Sequence, residues 1–426
     1  MKIIGYVLSG FAIVISMSGC QTTTAKLDDG FPWILPSEKP DRQLSAALER
    51  NYDRYPAARP EDNEFFSLFK YTELKGLDYN NFDGTITRRD PSKVIFKNGK
   101  YYVWYTHRDT GHKVGFVKGA TEEVPTRDWD LSEIWYATSE DGFTWAEQGV
   151  AIPMAEKPNP GWRSVSTADV LEWEGKYYMY YQAFSIWPEE AGDYCPVAVS
   201  VADSVDGPWT PVNQVVIPNG PEGTWDSKSI HDPYPLVHDG KIYIYYKSDF
   251  DEKTHRVRMQ GVAIADNPLG PFEKHPLNPV LNSGHETTLF PYKEGIAALC
   301  IRDGNEHFTV QWSLDGVNFE VKAITSMMPA AGGPYIPDAF TDTKDGRGIT
   351  WGLCHNIRAT RGNKGDGRAT VLMRFDCDLS QDVQDPGMKK HSNYFRPEIY
   401  YSMGLSKVQK ERIEKENAKV KQASGE

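Results

Sequence analysis

GKYYVWYT (Gly99–Thr106), GKYYMYYQ (Gly175–Gln182) and GKIYIYYK (Gly240–Lys247) are three near-copies of one segment, spaced 76 and then 65 residues apart. In each, a turn Gly is followed by alternating β-branched and aromatic positions, the pattern of a tight hairpin feeding a half-buried strand. A second element follows every copy: TSEDGFTWAEQG from Thr138, VADSVDGPWTPV from Val201 and IADNPLGPFEKHP from Ile264. QWSLDGVNFE (Gln311–Glu320) is a fourth version, with Gly295–Ile301 in the place of its hairpin. Repeats this long, with about four strands each, mark radial β repetition. Five units open, near Thr87, Ser166, Ser229, Ser283 and Tyr335. The predicted fold is therefore all-β, a five-bladed β-propeller over residues 81–405.

Composition agrees with the repeat. The 426 residues include 36 Gly, 28 Pro, 23 Tyr, 18 Phe and 12 Trp, which suits turns and aromatic strands and argues against a helical bundle. Length alone would also allow two domains, but the repeat uses most of it. Lys and Arg number 47 against 59 Asp and Glu, a net charge of −12 with no long basic run, so no nucleic-acid partner is expected.

The ends are different in kind. Lys2 precedes the apolar stretch Ile3–Met17, too short for a span of about 20 residues but the length of a signal-peptide core. It ends in Ser18-Gly19-Cys20, which resembles a lipoprotein processing box with Cys20 as the lipidated first residue. Residues 1–19 are read as the signal peptide and 20–40 as a tether, which places the protein outside the cytoplasm; Gln21 after the Cys favours the outer membrane. The expected location is that of a periplasmic or outer-membrane lipoprotein of a Gram-negative bacterium, attached only through the lipid. Within 41–80, Leu44, Ala47, Leu48, Asn51 and Tyr52 recur at helical spacing, predicting an amphipathic helix over Gln43–Tyr55 that either closes the propeller or packs on a second subunit. Residues 406–426, rich in Lys and Glu, read as a solvated helix or tail. Cys195, Cys300, Cys354 and Cys377 show no metal-ligand spacing; outside the cytoplasm they allow up to two disulfides in three connectivities, with buried free thiols the favoured reading in a chain able to build a full core.

The chemistry-bearing signal is one acid per repeat. Asp90, Asp169, Asp232, Glu286 and Asp338 lie 9, 6, 8, 9 and 8 positions before the hairpin Gly of their units. Pro91, Pro233 and Pro337 lie beside three of them, as an edge strand lining the central channel allows, and a residue before Pro is expected to be extended. Five carboxylates in one register are expected to converge on one end of the channel. Any single acid there could simply cap a turn. Together they would repel one another and separate in pKa, the division of labour that glycoside hydrolysis needs between a proton donor and a carboxylate activating water.

RNYDRYPAARPEDNEFFSLFKYTELKGLDY (Arg50–Tyr79), TRRDPSKVIFKNGKYYVWYTHRDTG (Thr87–Gly111), HDPYPL (His231–Leu236) and GHETTLFPY (Gly284–Tyr292) resemble glycoside hydrolase family 117, the α-1,3-L-neoagarooligosaccharide hydrolases. The resemblance implies a five-bladed propeller and an exo-acting inverting enzyme that releases 3,6-anhydro-L-galactose from neoagarobiose and neoagarooligosaccharides. It implies Asp90 as general base, Asp232 as the carboxylate that orients the site and tunes the acid, and the acid itself in the pair His285-Glu286, with Glu286 keeping the blade register. Thr167, Asp169, Gln182, Trp129 and, by register, Asp338 would contact the sugar. The family also implies a water-held divalent cation, Mg2+ or Zn2+, near the site, and a homodimer formed through the N-terminal helical extension. The competing readings are a propeller hydrolase of other specificity, such as an arabinofuranosidase, and a non-catalytic glycan-binding surface lipoprotein.

Overall fold

A computed structural model describes residues 30–33, 35–53, 63–77, 83–186, 194–248, 259–283, 287–301, 306–342, 344–359, 368–389 and 407–424. Cys20, His285 and Glu286 lie outside these described residues.

The repeats fold as blades. The first blade holds β2 (Ile86–Arg89) and β3 (Ile95–Lys97), both paired with β4 (Lys100–Asp109), followed by β5 (Glu133–Ser139) and β6 (Trp145–Ile152). The second is β7 (Ser164–Trp173), β8 (Lys176–Phe184), β9 (Val197–Ala202) and β10 (Thr210–Ile217); the third is β11 (His231–His238), β12 (Lys241–Ser248), β13 (Met259–Ala265) and β14 (Glu273–Lys274). The fourth is β15 (Thr288–Lys293), β16 (Gly295–Cys300), β17 (Thr309–Ser313) and β18 (Glu320–Ile324). The fifth joins β19 (Gly333–Pro334), β20 (Gly346–Ala359) and β21 (Arg368–Ser380) to β1 (Lys70–Glu73), which returns from the N-terminal side of the chain. Lys70–Glu73 pairs antiparallel with Asp376–Met373, so an early strand closes the ring and the propeller begins before residue 81. A short pairing of Tyr292–Lys293 with Arg347–Gly346 links the last two blades into one hydrogen-bonded sheet.

The quoted repeats form the hairpins expected of them. Asn98-Gly99, Glu174-Gly175 and Asp239-Gly240 are two-residue turns in which both residues have φ between 50° and 78°, the left-handed pair that matches the twist of the flanking strands. The core is divided among five apolar clusters, one between each pair of neighbouring blades. Phe340 packs against three of them, which places it on the axis. The inner strands approach closely there: Val94 N–H donates to Pro334 O at 2.9 Å, and a Cβ on Gly333 would lie 1.9 Å from Ser92 O. Only glycine fits.

The N-terminal segment departs from the expected helix. α1 is a single turn, Ala46–Glu49, capped by Ser45, whose Oγ accepts from Leu48 N–H at 3.3 Å. Arg50 and Asn51 then turn inward, Arg50 donating to both oxygens of Glu306 at 2.6 and 2.8 Å and Asn51 Oδ1 accepting from Asn282 at 2.6 Å, so tertiary contacts replace further helix. Phe65, Phe66 and Phe69 are buried between the fourth and fifth blades. After α2 (Phe116–Gly119), the one long helix among the described residues is α3 (Lys407–Ser424), which realises the charged C-terminal segment. Cys195, Cys300, Cys354 and Cys377 are buried free thiols.

Candidate active site

In the first blade the inner strand breaks between Arg89 and Ile95, and in the second and third its register shifts between Ser166 and Asp169 and between His231 and Tyr234. The residue at each irregularity is left-handed: Asp90 at φ 49°, Thr167 at 44° and Asp232 at 52°, with Ala331 at 48° before the inner strand of the fifth blade. Asp90 and Asp232 are thus not extended, although each precedes a proline; Asp tolerates this conformation better than most side chains. Such bulges re-aim a side chain out of the pleat. Asp90, Thr167, Asp232 and Ala331 line one pocket together with Ser92, Asp169, Tyr234, Thr287 and Gly332.

This corrects the register. Thr167 is eight positions before Gly175, as Asp232 is before Gly240, so the second blade's equivalent of the two catalytic candidates is Thr167 and not Asp169. Asp338 is not equivalent either. Its carboxylate accepts the Arg347 backbone N–H at 2.9 Å, and it lines a separate pocket with Ile95, Lys97, Glu172 and Phe340, beside the hairpin end of the inner strands. Convergence is therefore limited among the described acids to Asp90, Asp169 and Asp232. His285 and Glu286 lie outside the described residues, immediately before Thr287 of the pocket wall.

Asp90 is only 5% exposed yet surrounded by donors. Arg89 Nε and Nη2 reach its two oxygens at 2.7 and 3.1 Å, His355 Nδ1 lies 3.0 Å from Oδ1, and the Thr167 hydroxyl donates to Oδ2 at 3.3 Å. Burial pushes its pKa up, but the Arg89 charge and the His355 contact outweigh it and hold the carboxyl well below the ordinary range. The group is a buried anion at neutral pH. Arg89 is itself fixed by Asp128 at 2.8 Å and lies over the Trp129 ring at 4.9 Å, so Trp129 borders the site through that cation.

Asp232 is more open and has Lys247 Nζ 3.4 Å from Oδ2. Gln182 holds its backbone, Oε1 accepting from Asp232 N–H at 3.3 Å; Gln182 is buried and acts on the bulge. Asp169 borders the pocket but is committed to Lys93, whose Nζ donates to Oδ2 at 2.6 Å. Sequence reasoning missed Arg89, Lys93 and His355 as functional residues. Arg89 adjoins Asp90 in the TRRD string, whereas His355, on the other side of the ring closure, leaves no local signal. Among the described residues no three His, Cys, Asp or Glu are gathered as metal ligands.

A buried anion facing a pocket beside a second, partly exposed carboxylate can activate water against an electrophilic carbon. No family model matches the chain. The solved structure of Zg3597, a family 117 glycoside hydrolase produced by the marine bacterium Zobellia galactanivorans, is 57% identical, with 80% of this chain and 98% of that one covered and a TM-score of 0.73. The catalytic domain of a GH62 α-L-arabinofuranosidase from Coprinopsis cinerea shares the fold at 12% identity, covering 75% of this chain and 99% of that one, with a TM-score of 0.50. A curated relative, xylosidase/arabinosidase 43A of Humicola insolens, is 28% identical over 122 residues; the match takes in 26% of this chain and 36% of that relative's length. With a homologue matched over nearly its whole length at that identity, the chain belongs to glycoside hydrolase family 117.

Proposed function

We propose that this glycoside hydrolase acts on neoagarobiose and neoagarooligosaccharides, cutting the non-reducing-end α-1,3 bond with inversion to release 3,6-anhydro-L-galactose. The observation that carries the reading is Asp90, a buried carboxylate held ionised by Arg89 and His355 at the wall of the pocket. Asp90 takes a proton from water as its oxygen bonds to the anomeric carbon; the acid of the pair His285-Glu286 protonates the departing glycosidic oxygen as that C–O bond breaks. Asp232, with Lys247 beside it, orients the sugar and sets the charge felt by the acid.

Incubation of the purified protein with neoagarobiose tests this. Anhydrogalactose is expected from the wild type, and Asp90→Ala is expected to lower the rate by about 10² to 10⁴-fold, the usual weight of a general base. No release by the wild type would remove the substrate assignment, and equal release by both proteins would remove the role of Asp90. Retention of anomeric configuration by NMR would contradict inversion.

Two further readings accompany it, a lipid anchor at Cys20 that holds the enzyme at the periplasmic or outer-membrane surface, and a homodimer. A Cys20→Ser protein that stays in the membrane fraction, or a monomeric mass by light scattering, would overturn each in turn.

A further inference from the structure

Beside the two carboxylates lies a second charged pair, both of whose members are almost wholly buried. Lys93 is 0% exposed. Its Nζ donates to Asp169 Oδ2 at 2.6 Å in the second blade, to Val170 O at 3.0 Å in the same blade and to Pro235 O at 3.0 Å in the third. Those three acceptors use all three ammonium N–H groups. The cation also lies 4.8 Å from the Tyr234 ring centroid. Asp169, in turn, accepts on Oδ1 from the backbone N–H of Lys93 at 3.1 Å and of Val170 at 2.8 Å. One side chain thus ties together the inner strands of three blades.

The sequence positions of these contacts matter. Lys93 is three residues beyond Asp90, Asp169 two beyond Thr167, and Pro235 three beyond Asp232. Each left-handed residue of the pocket wall in these blades is followed, within one turn of chain, by the residue that meets the Lys93 ammonium. Non-glycine residues in that conformation persist only where their surroundings over-determine them.

We propose that Lys93, with Asp169 as its counter-ion, is a positioning residue for hydrolysis: it sets the separation and aim of Asp90 and Asp232 by cross-linking their strands, and Asp169 serves this cross-link without binding sugar. The inference rests on the roles given to Asp90 and Asp232 above. Burial works against both charges, lowering the pKa of the Lys93 ammonium and raising that of the Asp169 carboxyl, while the opposite charge of each partner counters the shift of the other. A buried pair is a costly way to join three strands if stability were its only use, since apolar residues often do as well.

The test uses the full-length protein carrying Lys93→Met with Asp169→Asn, which removes both charges and keeps an amide oxygen for the two backbone N–H groups. The expected result is a folded protein whose kcat on neoagarobiose falls about 100-fold with little change in KM, the effect of a displacement of about 1 Å at the reacting groups. Its crystal structure should show the Asp90 to Asp232 separation changed from that of the wild type. Unchanged kcat with unchanged separation would overturn the proposal. If the double variant does not fold, Asp169→Asn alone decides: a fall in kcat at constant KM is expected, and a rise in KM at constant kcat would make Asp169 a sugar ligand instead. Wild-type turnover is measured first and the carboxylate separation needs no substrate, so a wrong substrate and a wrong positioning role fail separately.

Discussion

Replacing Arg89 by Met should bring the acid limb of activity into the measurable range. Arg89 donates to both oxygens of Asp90, at 2.7 and 3.1 Å, and both side chains are buried. A guanidinium and a carboxylate about 4 Å apart interact by about 4 kcal/mol at an effective dielectric of about 20. At 1.36 kcal/mol per pH unit this is about 3 units of depression. Water entering the vacated space recovers part of it, so a rise of about 2 units is the expected size. Asp90 must be ionised to take a proton from water, and raising its pKa moves the acid limb of kcat/KM upward, from below the assayable range towards pH 4. The linked stability has the same sign. A depressed carboxyl stabilises the fold above its unfolded value near 3.9, a contribution lost only as pH falls through the folded pKa; the variant should therefore begin to unfold at higher pH than the wild type. The assay is kcat/KM between about pH 3 and 8, with melting temperature followed at each pH, because Asp90 and Asp128 are left without their cation and about 3 to 5 kcal/mol of stability is at stake. An acid limb superimposable on that of the wild type would refute the claim that Arg89 keeps the base ionised.

Two further tests address the acid and the ring closure. Glu286→Gln is expected to lower the rate by about 10² to 10⁴-fold, whereas near-normal activity in that variant with loss in His285→Ala would assign proton donation to the histidine. Phe66→Ala, at a side chain 2% exposed between the fourth and fifth blades, is expected to cost about 3 to 5 kcal/mol in denaturant unfolding; a loss below about 1 kcal/mol would mean that the segment before β1 does not belong to the propeller core.

Three copies of a Gly-led aromatic strand are enough to give the blades, because hairpin turns and strand alternation are local properties written into consecutive residues. The fifth blade is harder to read: it lacks the GKYY segment, and its outer strand, Lys70–Glu73, is supplied from a region whose neighbours carry helical spacing. The amphipathic pattern over Gln43–Tyr55 is real, but Leu44 and Leu48 face a cluster between blades, and Arg50 and Asn51 are drawn into side-chain bonds, so one turn of helix is all that tertiary packing leaves. Counting back from the turn glycines found Asp90 and Asp232. The same count selected Asp169 over Thr167 by residue type, since an acid attracts attention and a threonine does not, and it admitted Asp338, whose inner strand carries no comparable bulge.

The sequence by itself determined the repeat, its turns and the positions of Asp90 and Asp232, because each follows from short-range periodicity and residue chemistry. Only the tertiary structure separated the carboxylate held at the pocket wall from the one committed to a lysine counter-ion. Asp90 and Asp169 are both buried acids at the starts of inner strands. Asp90 meets Arg89, its chain neighbour, and His355 from the adjoining fifth blade at the pocket wall, while Asp169 meets Lys93 from the first blade. Arg89 is adjacent in sequence, but the partners that distinguish the two acids otherwise, His355 and Lys93, lie 265 and 76 positions away along the chain, and local sequence holds no record of such distances.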